Sequence, residues 1–132
     1  MFKFGAKKNE CVIPPEALTD PNGGEILRAW VAHEGGQALG TAALRATDLP
    51  GREDLTPWLG GVYVARQFRG RGVAAALCRT VESRAAALGF QKLYLFTLDQ
   101  QRLYEHLGWR AFEPATWQGR AADVMVKDLG SG

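Results

Sequence analysis

Hydrophobic and polar residues alternate along the chain in blocks that predict strands in its first half. Apolar, β-branched and aromatic runs at Glu25–His33, Ala38–Ala46 and Trp58–Ala65 have the length and composition of strands. The glycine-containing sequence between the first two runs is typical of a hairpin turn, so these strands should pair antiparallel. Residues 47–57 contain two prolines and a glycine and are predicted to form a loop.

The second half has the pattern of a strand–helix–strand unit. A long alanine-rich helix is predicted between Val73 and Leu88, because apolar residues recur near the helical period, and Gly89 should end it. The continuous apolar run Gln91–Thr97 then predicts a strand parallel to Trp58–Ala65, reached by a right-handed crossover.

The pattern after that unit predicts a short helix at Gln100–Leu107 and two final strands. The strands are predicted at Trp109–Phe112 and Ala121–Lys127, with Pro114 and Gly119 in the link between them. The expected fold is therefore a single-domain mixed α/β sheet, with antiparallel early strands and a central parallel strand–helix–strand unit.

The first 24 residues differ from the rest of the chain. Pro14, Pro15 and the stretch Pro21–Gly24 are breakers, which leave room for one short turn of helix near Glu16–Thr19. We therefore predict a short irregular segment over 1–24 and one domain over 25–132, since 132 residues suffice for a single core.

Composition and charge narrow the classes of function. The chain is 46% hydrophobic and 23% charged, as soluble globular proteins are, and its net charge of +2 argues against a dedicated nucleic-acid binder. It has no apolar run of about 18 residues and no signal-peptide core, so we expect a cytoplasmic protein without a membrane partner. Cys11 and Cys78 make neither a disulfide framework nor a metal set, and we expect no metal.

A basic, glycine-containing turn lies between the third strand and the long helix. The first turn of a helix has N–H groups without internal partners and partial positive charge, so it attracts anions. Glycines let a phosphate approach the main chain, and arginines add charge. The residues are Arg66, Gln67, Phe68, Arg69, Gly70, Arg71 and Gly72. The alternative is a surface turn whose arginines are merely solvated. The sequence contains no P-loop motif. It matches a dinucleotide-binding fingerprint only weakly, because the acidic residue expected about 20 positions downstream is missing.

Two segments of this half resemble the GCN5-related N-acetyltransferase (GNAT) family. Gln67, Gly70 and Gly72 fit the motif Q/R-x-x-G-x-G/A after a V-Y-V strand, and Tyr104 to Trp109 resembles Y-x-x-x-G-[FW]. The resemblance spans about Ile26 to Leu129. It implies a GNAT-type sheet with a shortened N-terminal helical region, and acetyl-CoA as co-substrate.

The resemblance also implies which residues bind acetyl-CoA. The pyrophosphate would lie on main-chain N–H groups from Arg69 to Ala74, and the pantetheine arm would pair with the backbone of two valines in the third strand. That pairing requires a gap between the third strand and the strand after the long helix. The implied cofactor-binding residues are Val62, Val64, Gln67, Arg69, Gly70, Arg71, Gly72, Val73, Ala74 and Thr97.

By the same resemblance, Tyr104 is the candidate catalytic acid. A phenol has a pKa of about 10, comparable with a thiol, so it can protonate the departing thiolate; the alternative is that Tyr104 only packs. No carboxylate stands on the strand before the glycine turn, where relatives often carry one. Glu53 and Asp54 are weaker candidates for the base, with solvated loop charges as the simpler interpretation, and His106 is weaker still because helical geometry turns it to a different face from Tyr104.

The interpretation that combines these observations is an acetyl-CoA-dependent N-acetyltransferase acting on a primary amine. The alternatives are a non-catalytic acyl-CoA-binding or sensor module and a nucleic-acid-binding domain using the arginine turn. The sequence leaves the acceptor open among polyamines, antibiotics, amino acids, peptide amino termini and lysine side chains. Because the N-terminal segment is short, the acceptor groove should be open on one side or completed by a second copy in a homodimer.

Overall fold

The computed structural model of the chain describes residues 3–5 and 26–130. Its strands form one sheet in the order β1-β2-β3-β4-β5-β7-β6. The elements are β1 (Lys3–Gly5), β2 (Ile26–Glu34), β3 (Gln37–Arg45), β4 (Trp58–Val64), α1 (Val73–Ala87), β5 (Lys92–Thr97), α2 (Gln101–His106), β6 (Arg110–Trp117) and β7 (Arg120–Asp128), with a 3-10 turn at Arg66–Phe68.

Strands β2, β3 and β4 form the antiparallel part of the sheet, as the sequence pattern predicts. The hairpin between β2 and β3 turns at Gly35 and Gly36, whose φ angles are +57° and +82°. Two successive positive φ angles are typical of the two-residue turns that match strand twist, and glycine adopts them without strain.

Helix α1 packs one face of the sheet and fixes the parallel unit. Its residues Val73, Leu77, Val81 and Ala85 are at most 1% exposed and face the sheet, where they join one core cluster with Leu93 and other sheet residues. β4 precedes this helix in the sequence and β5 follows it, and the two strands pair in parallel. The mixed sheet with a central strand–helix–strand unit is therefore confirmed.

The opposite face of the sheet carries an aromatic cluster. Trp58 is fully buried there and packs against Tyr94 and Phe96, and Trp117 packs against Phe96 with its ring tilted. Residues 46–57 form the predicted loop. Arg52 in this loop pairs with Glu113 of β6 and ties the loop to the far edge of the sheet.

The last two strands are longer than the pattern predicts, and the prediction that Pro114 lies in a link is wrong. Pro114 lies inside β6, opposite Asp123 of β7. β6 is the last strand of the sheet order, so a residue without an N–H group can be accommodated there. The turn between β6 and β7 consists of Gln118 and Gly119, both with positive φ.

No strand is predicted in the first 24 residues, whereas Lys3–Gly5 form β1. This strand pairs antiparallel with β2, with Phe4 opposite Ala32. The predicted helical turn near Glu16–Thr19 and the residue Cys11 lie outside the described residues. The same holds for most of the segment on which the homodimer prediction depends, so the homodimer stays a prediction.

Candidate functional site

The central feature of the site is a gap between β4 and β5. These two parallel strands form a single residue pair, Trp58 with Tyr94, and Tyr94 N–H donates to the carbonyl of Pro57 at 3.1 Å. Beyond that pair the strands separate toward Val64 and Thr97. Backbone groups of β4 that face the gap therefore have no partner on β5. They are free to pair with an extended ligand in the way that an added strand would.

A bulge in β4 lies at this gap. Between the pairs Thr41–Tyr63 and Ala43–Gly60, β4 contains one residue more than β3. The extra residue is accommodated at Gly61, whose φ of +61° is left-handed, and the hydroxyl of Thr41 donates to the Gly61 carbonyl at 3.0 Å. Since a bulge bends its strand and increases local twist, it accounts for the separation of β4 from β5.

The neighbouring Gly60 has a different role. A Cβ there would lie 2.7 Å from the Cδ atom of Arg45 and 3.1 Å from Oδ2 of Asp48. Arg45 and Asp48 form a buried ion pair at 2.9 Å. Gly60 therefore leaves room for this ion pair, while Gly61 forms the bulge.

The glycine turn presents the positive end of α1. Gly72 immediately precedes the helix with a φ of +81°, and Gly70 has a φ of +80°; a Cβ at either would meet no atom within 4 Å. The first intrahelical bond runs from Ala76 N–H to the Gly72 carbonyl, at 3.1 Å. Preceding N–H groups of the first turn are thus left without helical partners, and no acidic residue stands in that turn to neutralise it.

Two arginines of the turn are held by the protein itself. Arg69 Nε donates to the Val64 carbonyl at 3.0 Å, and its guanidinium lies 5.9 Å from the centre of the Tyr63 ring. Arg71 forms an ion pair with Glu34 at the end of β2, at 2.9 Å. The hydrogen bond from Arg71 holds the pKa of Glu34 below its ordinary value. Both guanidinium groups therefore stay beside the helix start.

The other predicted cofactor residues lie on the same path. Gln67 is exposed in the 3-10 turn, and the half-buried Val62 and Val64 lie on the strand that borders the gap. Val73 is buried in the first turn of α1, so only its backbone can face a ligand, and Ala74 is half-buried beside it. The structure thus brings the predicted residues together along one line from the gap to the helix start.

Thr97 ends β5 on the other side of the gap. It is buried, and its Oγ1 accepts a hydrogen bond from the N–H of Gln100 at 2.9 Å. This bond links the end of β5 to the start of α2. A hydroxyl that accepts still has its own O–H to donate, so the predicted contact from Thr97 to a cofactor arm is compatible with this hydrogen bond.

Tyr104 lies on α2 inside the main core cluster, and it is 8% exposed. Its ring packs edge-on against Trp109, with ring centres 6.2 Å apart, and its carbonyl accepts the N–H of Trp109 at 2.9 Å. Burial raises the pKa of Tyr104 above that of a free phenol. The hydroxyl is therefore protonated across the physiological pH range, as a proton donor must be.

The carboxylates suggested as bases are engaged elsewhere. Asp54 accepts two hydrogen bonds from Arg52, at 3.0 and 3.1 Å, and the Arg52 hydrogen bond holds its pKa below the ordinary value. Glu53 accepts the N–H of Gly51 at 3.0 Å. His106 is exposed on α2, on a different face from the buried Tyr104. None of these side chains is directed by a contact toward the gap.

Two features of the site were not predicted from the sequence: the bulge in β4 and the ion pair between Arg71 and Glu34. The pair Gly60–Gly61 in a strand was a visible indication of a bulge, because glycine inside a strand often marks one. Cys78 is a buried free thiol, and burial raises its pKa to about 12. Across residues 3–5 and 26–130, no three His, Cys, Asp or Glu side chains are grouped as a metal would require.

Two surface depressions lie away from the gap. One, of about 310 Å³, lies between α1 and β7 and is lined by Lys127 among others. The second is lined by Arg102, Glu105 and His106 of α2. Neither contains the glycine turn or unpaired strand backbone, so we place the candidate site at the gap. Neither helix in the described part of the chain is long and apolar enough to cross a membrane.

The fold described above is that of known acetyltransferases. An IAA acetyltransferase from Bacillus cereus ATCC 14579 superimposes with a TM-score of 0.67, covering 97% of this chain and 99% of that one, at 22% identity. A GNAT family acetyltransferase from Elizabethkingia anophelis, solved with acetyl-CoA bound, gives a TM-score of 0.65 over 96% of this chain and 97% of its own, at 17% identity. Identities this low show the fold.

Sequence similarity shows the family. The family model described as Acetyltransferase (GNAT) family matches residues 6–109, and this chain belongs to that family. N-acetyltransferase 8 of Mus musculus is 41% identical over 87 residues, which are 61% of this chain and 37% of that protein. The uncharacterized N-acetyltransferase YjgM of Escherichia coli (strain K12) is 27% identical over 124 residues, covering 85% of this chain and 73% of YjgM. The chain thus spans well under half of the mouse relative.

Proposed function

We propose that this protein transfers an acetyl group from acetyl-CoA to a primary amine. The observation that carries the proposal is the gap between β4 and β5, which opens at the glycine turn before α1. An extended arm can pair with strand backbone in the gap while its phosphates lie on the first turn of the helix. Few ligands besides a coenzyme A thioester combine an amide-containing arm with a pyrophosphate.

Different residues of the site are proposed to bind the pyrophosphate and the amide-containing arm. In this proposal the pyrophosphate accepts hydrogen bonds from main-chain N–H groups between Arg69 and Ala74, with Gln67 at the edge of the turn. The backbone of Val62 and Val64 pairs with the amide-containing arm, and Thr97 donates its O–H from the other side of the gap. Glycine suits position 72 because it adopts the positive φ without strain and lets the phosphate approach the main chain closely.

The reaction needs a neutral amine, an oxyanion donor and a proton for the leaving sulfur. The amine nitrogen attacks the thioester carbonyl, and the Val64 N–H is the donor proposed for the oxyanion. The carbon–sulfur bond then breaks, the thiolate takes a proton from the Tyr104 hydroxyl, and the proton lost by the amine passes to solvent. Tyr104 recovers its proton from solvent before the next turnover.

The relatives support this proposal by name and by what they bind. Proteins similar to this chain are called N-acetyltransferases, and they include N-alpha-acetyltransferase 80 of Mus musculus, at 47% identity over 53 residues, 40% of this chain and 17% of that protein. An aminoglycoside 6'-N-acetyltransferase with the same fold was solved in complex with coenzyme A. We also propose a cytoplasmic location, as the sequence suggests.

The test is a direct acetylation assay. Purified chain is mixed with acetyl-CoA and a panel of primary amines, free thiol is followed with a chromogenic reagent, and the products are identified by mass spectrometry. We expect thiol release that depends on an amine, together with a product 42 Da heavier, the mass of an added acetyl group. Binding of CoA without acetylation of any amine would instead support the non-catalytic acyl-CoA-binding module. This module is the second candidate, because Glu53 and Asp54, the carboxylates suggested as the base, are engaged by other groups.

A further inference from the structure

Asp123 of β7 lies next to the candidate site and is not among the residues proposed to bind the cofactor or to protonate the thiolate. It stands directly opposite Thr97 of β5, and side chains of directly opposite residues point to the same face of a sheet. Thr97 is three residues beyond Tyr94, and Gly61 is three residues beyond Trp58, its partner in the parallel pair. Asp123 is therefore level with the bulge where the gap opens, on the face that carries α2.

The contacts of Asp123 differ from those of the other carboxylates in the described part of the chain. Each remaining Asp or Glu that is at least partly buried has an arginine or lysine partner. These ion pairs are Glu34 with Arg71, Asp48 with Arg45, Glu82 with Lys127 and Glu113 with Arg52.

Asp123 has a neutral partner instead. Its Oδ2 accepts a hydrogen bond from Nε2 of Gln101 at 2.9 Å, and the same Nε2 lies 3.3 Å from the Leu98 carbonyl. Among residues 3–5 and 26–130, no cation forms an ion pair with Asp123, and Oδ1 has no hydrogen-bond partner. The carboxylate is thus held in place by a neutral amide, without an ion pair in the part of the chain that the structure describes.

We propose that Asp123 binds the positively charged group of the acceptor amine. A partly buried carboxylate without a cationic partner gains more from an incoming cation than an exposed one does, because solvent screens it less. Gln101 orients the carboxylate from the start of α2, the helix that carries the proposed acid Tyr104. The acceptor class selected in this way is an amine that carries positive charge at neutral pH, in preference to a neutral or anionic one.

This inference deepens the proposed function and rests on it. Either the attacking amine arrives as an ammonium ion and loses a proton to solvent before it attacks, or a second cation of the acceptor remains on Asp123 during transfer. Both cases bring the acceptor to the end of β5, on the side of the gap opposite the glycine turn. Cofactor binding does not involve Asp123 in either case.

The test compares Asp123→Asn with the parent chain. The acceptor panel contains n-butylamine, 1,4-diaminobutane, L-lysine and a tripeptide with a free amino terminus, and every amine that the parent acetylates is used for kinetics. The matched control is Asp128→Asn, the same substitution at the far end of the same strand, where the carboxylate is exposed and lies 3.6 Å from Arg110. Asp123→Glu is included because it keeps the charge.

We expect Asp123→Asn to raise KM for the amine by about tenfold to a hundredfold, the size of a lost hydrogen bond to a charged group. The kcat value and the Kd for CoA should stay within about threefold, and Asp123→Glu should recover part of the loss. Added salt should raise KM of the parent but not of Asp123→Asn, because only the parent attracts the cation.

Three outcomes overturn the inference in different ways. If the parent acetylates an amine and Asp123→Asn has the same KM as the parent, Asp123 does not bind the acceptor although the proposed function stands. If Asp123→Asn weakens CoA binding to the same extent as it raises KM, the residue is structural. If the parent binds CoA but acetylates no amine, the proposed function fails and this inference fails with it.

Discussion

Replacing Gly72 with aspartate is expected to abolish CoA binding while the protein stays folded. Gly72 has a φ of +81°, and a side chain there would meet no atom within 4 Å. Left-handed backbone costs an L-residue roughly 1–2 kcal/mol, and aspartate tolerates it better than most. A carboxylate at the start of a helix returns about 0.3–1 kcal/mol through the helix dipole. The free energy of unfolding should therefore fall by less than about 2 kcal/mol.

The effect on the ligand is much larger, because the carboxylate would occupy the place proposed for the pyrophosphate. Two unit charges 4 Å apart repel by about 4 kcal/mol at an effective dielectric constant of about 20. Salt at physiological strength, with a Debye length of about 8 Å, reduces this to about 2.5 kcal/mol. Since each 1.4 kcal/mol is a factor of ten, the Kd for CoA should rise about a hundredfold for each phosphate charge that it meets.

Gly89→Asp is the matched control for this variant. Gly89 follows the other end of the same helix with a φ of +96°, and a Cβ there would also meet no atom within 4 Å. The backbone strain is similar, but a negative charge at the C-terminal end is unfavourable for the helix dipole. Gly89→Asp should therefore lose more stability than Gly72→Asp and yet bind CoA as the parent does.

The assay is calorimetric titration of CoA into the three proteins, with urea unfolding of each to measure stability. In the parent, CoA at 100 times its Kd should stabilise the native state by roughly 2.7 kcal/mol. A phosphate contact at Gly72 is contradicted if Gly72→Asp binds CoA with the parent's affinity, or if Gly89→Asp loses binding equally. The second result would mean that any strain at an end of α1 disturbs the site, without a specific phosphate contact at Gly72.

Three further changes test other parts of the structure. Tyr104→Phe should lower kcat at least about tenfold without weakening CoA binding, and steady-state rates equal to the parent's would leave the hydroxyl without a catalytic role. Lys127→Met should lower the free energy of unfolding in urea by about 3 kcal/mol, because Nζ donates to Glu82 at 2.9 Å and to the Leu107 carbonyl at 2.7 Å. Adding Glu82→Leu should restore most of this stability. No recovery in the double variant would mean that the broken ion pair is not the cause of the loss. Burial raises the pKa of Cys78 from 9.0 to about 12, so its contribution to stability is complete below pH 9 and falls by about 1.4 kcal/mol per pH unit above it. Cys78→Ala should lack that decline, and parallel stability curves between pH 8 and 10.5 would contradict the assignment.

The parts of the fold that could be predicted are those encoded locally. The hairpin at Gly35 and Gly36, the end of α1 before Gly89 and the parallel unit around α1 all follow from periodicity and glycine placement within a few residues. The strand containing Pro114 could not be predicted in the same way. Within a sheet, proline is confined to edge strands, to the first residue of a strand and to bulges, and no local pattern shows which strand will be last in the sheet.

The candidate site shows the same division. The glycine turn and the start of α1 could be recognised because all their residues are adjacent in sequence. The contacts that hold the turn and the acceptor side join distant residues: Arg71 and Glu34 are 37 positions apart, and Gln101 and Asp123 are 22 apart. The sequence around Asp123 does not distinguish it from other polar residues of an alternating strand. Only the register of β5 with β7 brings it opposite Thr97.

The gap itself is a property of three strands at once. Had β4 been regular, its pairing with β3 on one side and β5 on the other would have satisfied its backbone, and no groups would remain for a ligand. One extra residue at Gly61 keeps the pairing with β3 on both sides of the bulge, while only Trp58 stays paired with β5. The sheet therefore keeps its order and its core, and the backbone groups without a partner strand are confined to the stretch between the bulge and the first turn of α1.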